Sequence, residues 1–529
     1  MRIGVMIEGQ RVARWQAEAL QSLTAQFELL VYNDVNRQPA PRSWRNGLYY
    51  LLNLFTVRNR LTRSLPLASA GLNIAASCDF EGEYEGRWQR LPGWLLDRLC
   101  ADRLDVLIKF NSALLKIPEP NVLPTPILSY HHGDPRQFRG RPAGFYELRT
   151  NAPAMGQIVQ ILSNRLDAGT VVAYAETKVH RHSYRATLVE AYRHSPLLLA
   201  RAIANARSGT ALPIKPTGKV YKLPSNLTVA GFAAQRLAAA LRRVLYGLFI
   251  EKKWNVSRAA LSPESYMAGL EKEAIDPSGW RTVSVPKGYS FLADPFFNPV
   301  GEGLLVEALN AKTGLGEILA MDGAGTRKLS EGRRHYSYPG SVEWQGRHYL
   351  VPEVSEWSDP RIYAIHESGL QDAGALTLSE GGALLDPTLL VKDGNVYLFA
   401  NLANEGAGVL RLWMAEGLFN SFVEHPMSPI RISPDGSRMA GAIVCAGGGL
   451  RRLGQDCRGR YGDGLVAFDI ERLDAAVYAE TPVEALRFGH VAGPHTLNFS
   501  SQEAVFDWYV ERFSMAAGLR RIRGRLRGR

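Results

Sequence analysis

The sequence predicts a multidomain chain of α/β plus all-β class. A Rossmann-like α/β domain is expected over residues 1–185, a helical linker over 186–275, a five-bladed β-propeller over 276–510 and a basic tail over 511–529. Three observations predict this. Apolar runs at 2–7 and 28–33 flank an amphipathic stretch at 11–24, a βαβ opening. The stretch 186–275 has a helical period. From about 276 the period becomes strand-like, and a unit built around Pro295, Pro339, Pro387 and Gly441 recurs at steps of 44, 48 and 54 residues, near the length of a four-stranded blade.

Composition sets the outer limits. The 529 residues, 46% hydrophobic and 21% charged, exclude a disordered chain. Four cysteines are too few and too scattered to staple so long a chain or to build a zinc cluster, so no metal is expected and a reducing cytoplasm fits. The net charge is +11, but six arginines fall in the last ten residues, so the excess is largely a tail. A solvated terminus with weak nonspecific affinity is the expectation, with no specific nucleic-acid partner. Glu8 stands where a signal peptide needs its apolar centre, and no run of 18 uncharged apolar residues occurs, so neither export nor a membrane span is expected.

In the first domain the short apolar runs 105–108, 127–130 and 157–162 read as further strands, with Gly and Pro between them. In the linker, 188–204 reads as helix, 213–224 as a broken basic loop and 228–253 as a strong helix whose apolar residues are interrupted by Arg236, Arg242, Arg243, Lys252 and Lys253. Two readings stay open for that helix: it bridges domains, or it lies in a membrane interface with its arginines near headgroups. Ser43 to Val57 poses the same choice and is read as an inserted helix packed on the α/β domain.

Three separated elements carry most of the chemistry: Ser129-Tyr-His131, Phe138-Arg-Gly140 and Leu166-Asp-Ala-Gly169. In order and spacing they resemble the catalytic domain of the folate-dependent formyltransferases, whose pattern is Asn-x-His at a strand end, a loop closing in Arg-Gly, then Leu-Asp-x-Gly. The resemblance covers about 1–185. It implies acyl transfer from 10-formyltetrahydrofolate to an amine, with His131 and Asp167 catalytic and Ser129 and Arg139 supporting. An amine attacking a formyl carbonyl needs a proton acceptor and donors that hold the oxyanion. The family's Asn is Ser129 here, a donor of shorter reach. His131 and His132 alternate sides of an extended chain, and the Arg139 spacing favours His131, with His132 as a supporting candidate. The alternative is that His131 and Asp167 merely hold a loop in a lapsed enzyme. A sugar amine is the better acceptor than methionyl-tRNA, because a propeller follows rather than a small barrel.

The repeat region carries Ala293-Asp-Pro-Phe296, Ser337-Tyr-Pro339, Val351-Pro-Glu353, Leu385-Asp-Pro387, Gly454-Gln-Asp456 and His495-Thr-Leu-Asn498. These resemble the five-bladed arabinanase and β-xylosidase fold, and more closely the propeller-like domain of plant glucosamine inositolphosphorylceramide transferases. Asp294 and Asp386 are read as beginning inner strands, with Glu353 ending a neighbouring one. Convergent carboxyls suit sugar hydrolysis or glycosyl transfer. Asp-Pro at strand starts is equally a turn device, and a binding propeller would use the same residues without reacting.

The expectation is a cytoplasmic protein, peripheral to the inner membrane face through its basic tail or the 228–253 helix. It would act on an amino-sugar or glycan substrate, either as a formyltransferase or as a lapsed one carrying a glycan-binding, glycosyl-transferring or hydrolysing propeller.

Overall fold

A computed structural model of the chain describes every residue except 24–26, 37–41, 87, 111–112, 270–276, 332–333, 355, 357, 367–368, 485, 487, 489–490 and 528–529. It divides into two compact units, Met1–Arg243 and Val244–Arg529.

The first unit is built on a mixed sheet. Strands Ile74–Phe80, Glu28–Asp34, Arg2–Glu8, Val106–Lys109 and Ile127–His131 run parallel in that spatial order, followed by Ala154–Ile161 and Thr170–Lys178 antiparallel. The parallel strands are continuous apolar runs because helices cover their faces. The chain reverses its spatial direction between Arg2–Glu8 and Val106–Lys109, so the carboxyl ends of these two strands flank the crevice where such sheets take ligands. Glu8 and Lys109 end those strands.

Several element boundaries differ from the sequence reading. The stretch 11–24 opens with the strand Arg11–Ala13, and the helix covers Arg14–Gln21. Helices Tyr184–His194 and Leu199–Ser208 pack on the antiparallel end of the sheet rather than forming a free linker. Lys219–Tyr221 pairs in parallel with Phe138–Gly140. The long helix is Asn226–Phe249, and Ile250–Ala259 is a strand, because its alternating buried residues Trp254 and Val256 pair along ten positions with Ala504–Phe513. The β region therefore begins near 250 rather than 276. No helix among the described residues is long and apolar enough to cross a membrane.

Five antiparallel sheets make up the second unit among its described residues. Four come from contiguous chain and open with strands Tyr289–Phe297, Ser337–Trp344, Leu384–Lys392 and Asp435–Met439. The fifth joins Ile250–Ala259 to Ala504–Phe513 and Leu497–Phe499, so both ends of the region meet in one sheet. Leu465–Leu473 is the third strand of the fourth sheet. The opening strands touch in sequence: Asp294 accepts from the Tyr338 N–H, Gly340 lies against the Pro387 carbonyl, Asp386 meets Arg438, and Asn498 binds both the Ala442 N–H and the Pro295 carbonyl. The tail reading from 511 begins inside a strand, and the chain then forms the helix Ala517–Arg527.

Candidate functional sites

The three separated elements of the first unit meet. His131 ends its strand with Nδ1 3.5 Å from Asp167 Oδ1 and Nε2 3.0 Å from the Phe138 carbonyl oxygen. The Gly140 N–H donates to Asp167 Oδ2 at 2.7 Å. That donor needs glycine: its φ is +85°, and a Cβ there would stand 2.2 Å from the Tyr221 carbonyl oxygen. Arg139 donates to the Leu166 carbonyl, tying the Phe138–Gly140 stretch to the loop that carries Asp167. Asp167 itself has φ +45°, a left-handed backbone that short Asp tolerates.

His132, the supporting candidate, is half-buried and also borders the small hollow beside His131. It points to the opposite side of the strand, packs against Trp15 and Tyr192 and bonds Ser195 Oγ at 2.8 Å. Burial, with the neighbouring His131, pulls its imidazole down to about 3, so it stays neutral. Ser129 is half-buried, on the same side of the strand as His131, and lies in register with Lys109. Lys109 was not singled out from sequence. Burial pulls its ammonium down to about 8, opposed by the Glu8 and Asp167 carboxylates, which places a positive group near the acid of the His131 pair. A lysine closing an otherwise apolar parallel strand is the signal that would have found it.

Two hollows adjoin this site. One touches His131, Gly140, Glu147 and Tyr221 and holds about 10 Å³, the room of roughly one water. Glu147 is buried there, and desolvation lifts its carboxyl to about 8. The other shares Arg141 and Pro142 with the first, holds about 340 Å³ and is walled by Tyr49, Tyr184, Tyr192 and Asn53. Asn53 Oδ1 is buried without a hydrogen-bond partner.

In the second unit the recurring sequence marker is a bulge. Asp294, Tyr338 and Asp386 have φ of +45°, +48° and +45°, each at a register shift within its hairpin and each followed by proline, which lacks the N–H that an unpaired position would waste. The aspartates thus sit inside their strands rather than at the strand starts expected from sequence. Arg438 binds Asp386 through Nε at 2.5 Å and a second nitrogen at 3.1 Å, and reaches Glu353 at 3.0 Å. Gln455 adds a bond to Asp386 at 2.7 Å. Asp294 accepts from Thr496 Oγ1 at 2.6 Å and lies 3.4 Å from His495 Nε2, while His495 Nδ1 stands 2.6 Å from Asp507 Oδ2.

Electrostatics separates these groups. Desolvation lifts Glu353 to about 8 against the pull of Arg438, and raises Asp294 and Glu307 as well. Burial pulls His495 down, but Asp507 and Asp294 outweigh it and hold the imidazole above its ordinary value. Sequence reading brought forward Asp294, Glu353 and Asp386 but missed Arg438, Glu307 and Asp507. Asp507 is legible in retrospect as an acid inside the apolar strand run 504–509. Asp294, His495 and Asp507 offer donor atoms all within 4.8 Å of one another, yet each is already engaged by its neighbours.

Comparison with known proteins assigns similarity to parts of the chain. Residues 282–497 match the family model described as glucosamine inositolphosphorylceramide transferase 1, N-terminal. The glucosamine inositolphosphorylceramide transferase 1 proteins of Oryza sativa subsp. japonica and subsp. indica are each 28% identical over 214 residues, covering 37% of this chain and 28% of the rice proteins. The chain thus spans under a third of those relatives' length. Among solved structures, glycinamide ribonucleotide transformylase 1 from Symbiobacterium toebii aligns at 19% identity and TM-score 0.26, over 40% of this chain and 88% of that one. An N-formyltransferase from Helicobacter canadensis, in complex with folinic acid and dTDP-3-aminofucose, aligns at 11% and 0.29, over 42% of this chain and 71% of that one.

Proposed function

We propose that the protein is a formyltransferase-like transferase acting on the amine of an amino-sugar glycan, with the second unit, read as a five-bladed propeller, holding the glycan. The observation that carries this reading is the convergence of His131, Asp167 and the Gly140 N–H from three separated stretches of chain. Asp167, fixed by that N–H, orients the imidazole. His131 Nε2 then takes or returns a proton at the amine once it leaves the Phe138 carbonyl. Lys109 offers an ammonium toward developing negative charge on the side where Ser129 replaces a longer amide. In the second unit, Glu353 keeps its proton at neutral pH while Asp386 stays ion-paired with Arg438, and the match to the family described as glucosamine inositolphosphorylceramide transferase 1, N-terminal, supports a sugar ligand there.

The donor implied by the resemblance is 10-formyltetrahydrofolate. The roughly 10 Å³ hollow at His131 does not admit a pterin, whereas the 340 Å³ hollow has the volume, tyrosine faces and an unpartnered acceptor, Asn53 Oδ1, for a ring N–H. Asn53, Arg141 and Tyr49 would hold the pterin, and the bound folate would supply the formyl group.

One observation favours the lapsed-enzyme reading: His131 Nε2 already faces a backbone carbonyl, and Ser129 stands in the place of the family's Asn. The test is mass spectrometry of an amino-sugar glycan pool incubated with the protein and formyl donor. Gain of one formyl group, reduced about 100-fold or more in His131→Ala and in Asp167→Asn, is expected. Equal products with both variants reject formyl transfer at this pair.

A further inference from the structure

The helix Gly47–Phe55 is apolar on both sides: its inner face is packed and its outer face is exposed. Tyr49 and Leu52 join the core cluster with Val229 and Phe232 of the long helix. On the other side Trp44, Leu48, Leu51 and Phe55 are 80%, 42%, 51% and 70% exposed. They are spaced at i, i+4, i+7 and i+11, one stripe along a helix. Leu227 extends it: Asn226 binds both the Trp44 carbonyl and the Leu48 N–H, so the start of the long helix lies against this stripe, and Leu227 is 85% exposed.

The charge flanking the stripe in the sequence has one sign. Between Val35 and Cys78 the sequence holds six arginines and no Asp or Glu. Arg42, Arg45, Arg58 and Arg60 are exposed, and among the described residues none has a carboxylate within ion-pair distance. A solvated helix on a globular surface has polar residues outward. Here exposed Trp, Leu and Phe are ringed by unopposed arginines, the pattern of a helix lying in a bilayer interface with its cations at headgroup level. An acid-bearing protein partner would meet the arginines but would not require so wide an apolar stripe with Trp at its end.

We propose that the first unit docks on an anionic lipid bilayer through the Trp44–Phe55 stripe and Leu227, with the flanking arginines on the headgroups. The inner face of the same helix supplies Tyr49, Tyr50 and Asn53 to the 340 Å³ hollow, so docking sets that hollow at the lipid surface. This does not depend on formyl transfer, and binding is measured without any substrate.

The experiment is cosedimentation of the full chain with vesicles of phosphatidylcholine alone and with 30 mol% (about that of an anionic membrane surface) phosphatidylglycerol, alongside light scattering in solution. Binding to the anionic vesicles, at least ten-fold weaker for Leu51→Glu/Phe55→Glu and for Arg58→Gln/Arg60→Gln, is the expected result. All four positions are exposed, so the variants should keep the wild-type melting temperature, and wild-type-like melting is the check that the loss is local. No vesicle binding overturns the proposal. Full binding by the Leu51→Glu/Phe55→Glu variant also overturns it and moves the contact to the basic carboxyl-terminal tail. A dimer in solution that this variant dissociates, without vesicle binding, assigns the stripe to a second copy of the chain instead.

Discussion

Glu353→Gln isolates the energetic signature of the second unit's carboxyl network. Glu353 is 8% exposed and accepts the Asp386 N–H at 3.0 Å beside Arg438; desolvation lifts its carboxyl from 4.5 to about 8. The folded state therefore binds this proton more tightly than the unfolded state, so its contribution to stability is complete below 4.5 and is lost as pH rises through 8. Between 4.5 and neutral pH, about 2.5 pH units at roughly 1.4 kcal/mol each, less the part already titrated in the unfolded chain at pH 4.5, remove about 3 kcal/mol. Glutamine keeps an acceptor for the Asp386 N–H and for Arg438 but has nothing to titrate. Urea unfolding from pH 4.5 to 7 should show the wild-type protein losing about 3 kcal/mol more than the variant. Asp294 and Glu307 are also raised and add slope to both proteins, so the difference belongs to Glu353. Parallel pH profiles would refute the assignment of a retained proton to this side chain.

Arg438→Met leaves Asp386 buried without its cation and should destabilise the second unit by about 3–5 kcal/mol in urea titrations, the cost of breaking a buried pair from one side. Tyr338→Phe removes a hydroxyl that bonds the Gly441 carbonyl and Thr388 across opening strands, so a loss of about 1–3 kcal/mol is expected, read as an earlier urea midpoint at unchanged slope. Gly140→Ala forces a Cβ onto the Tyr221 carbonyl and withdraws the N–H from Asp167; formyl transfer should fall as far as in Asp167→Asn, with the second unit's unfolding unaffected.

The sequence was legible where local pattern and chemistry coincide. Apolar runs at 2–7, 28–33 and 127–130 became parallel strands because burial on both faces leaves no polar alternation to misread. His131 and Asp167, 36 positions apart, were paired through the resemblance to the formyltransferase pattern, and their side chains lie 3.5 Å apart. What failed depended on distant partners. Ile250–Lys253 reads as the end of the 228–253 helix until the strand at 504–513 is known to pair with Ile250–Ala259. His132 carries the same side chain as His131, and only the packing of Trp15 and Tyr192 against it shows the aromatic surroundings it faces. Arg438 lies 52 positions from Asp386, in a looser copy of the repeat, and nothing local marks it as that acid's counter-ion.

The relative strength of the two closures separates the roles of the units. For a ligand to reach His131 Nε2 it must replace one contact with the Phe138 carbonyl, a net loss of about 1 kcal/mol that a new hydrogen bond restores. For a ligand to reach Asp386 it must displace a bidentate guanidinium from a carboxylate that is 2% exposed, at about 3–5 kcal/mol, with Glu353 losing the same cation. Modest binding energy opens the first site and leaves the second intact. The His131 pair is thus suited to reaction, with its loop yielding to substrate. The Asp386–Arg438–Glu353 network is suited to holding the strands of the second unit in place. A crystal structure with an amino-sugar bound should show the Phe138 carbonyl displaced from His131 while Arg438 keeps both of its bonds to Asp386; displacement of Arg438 instead would reverse the assignment.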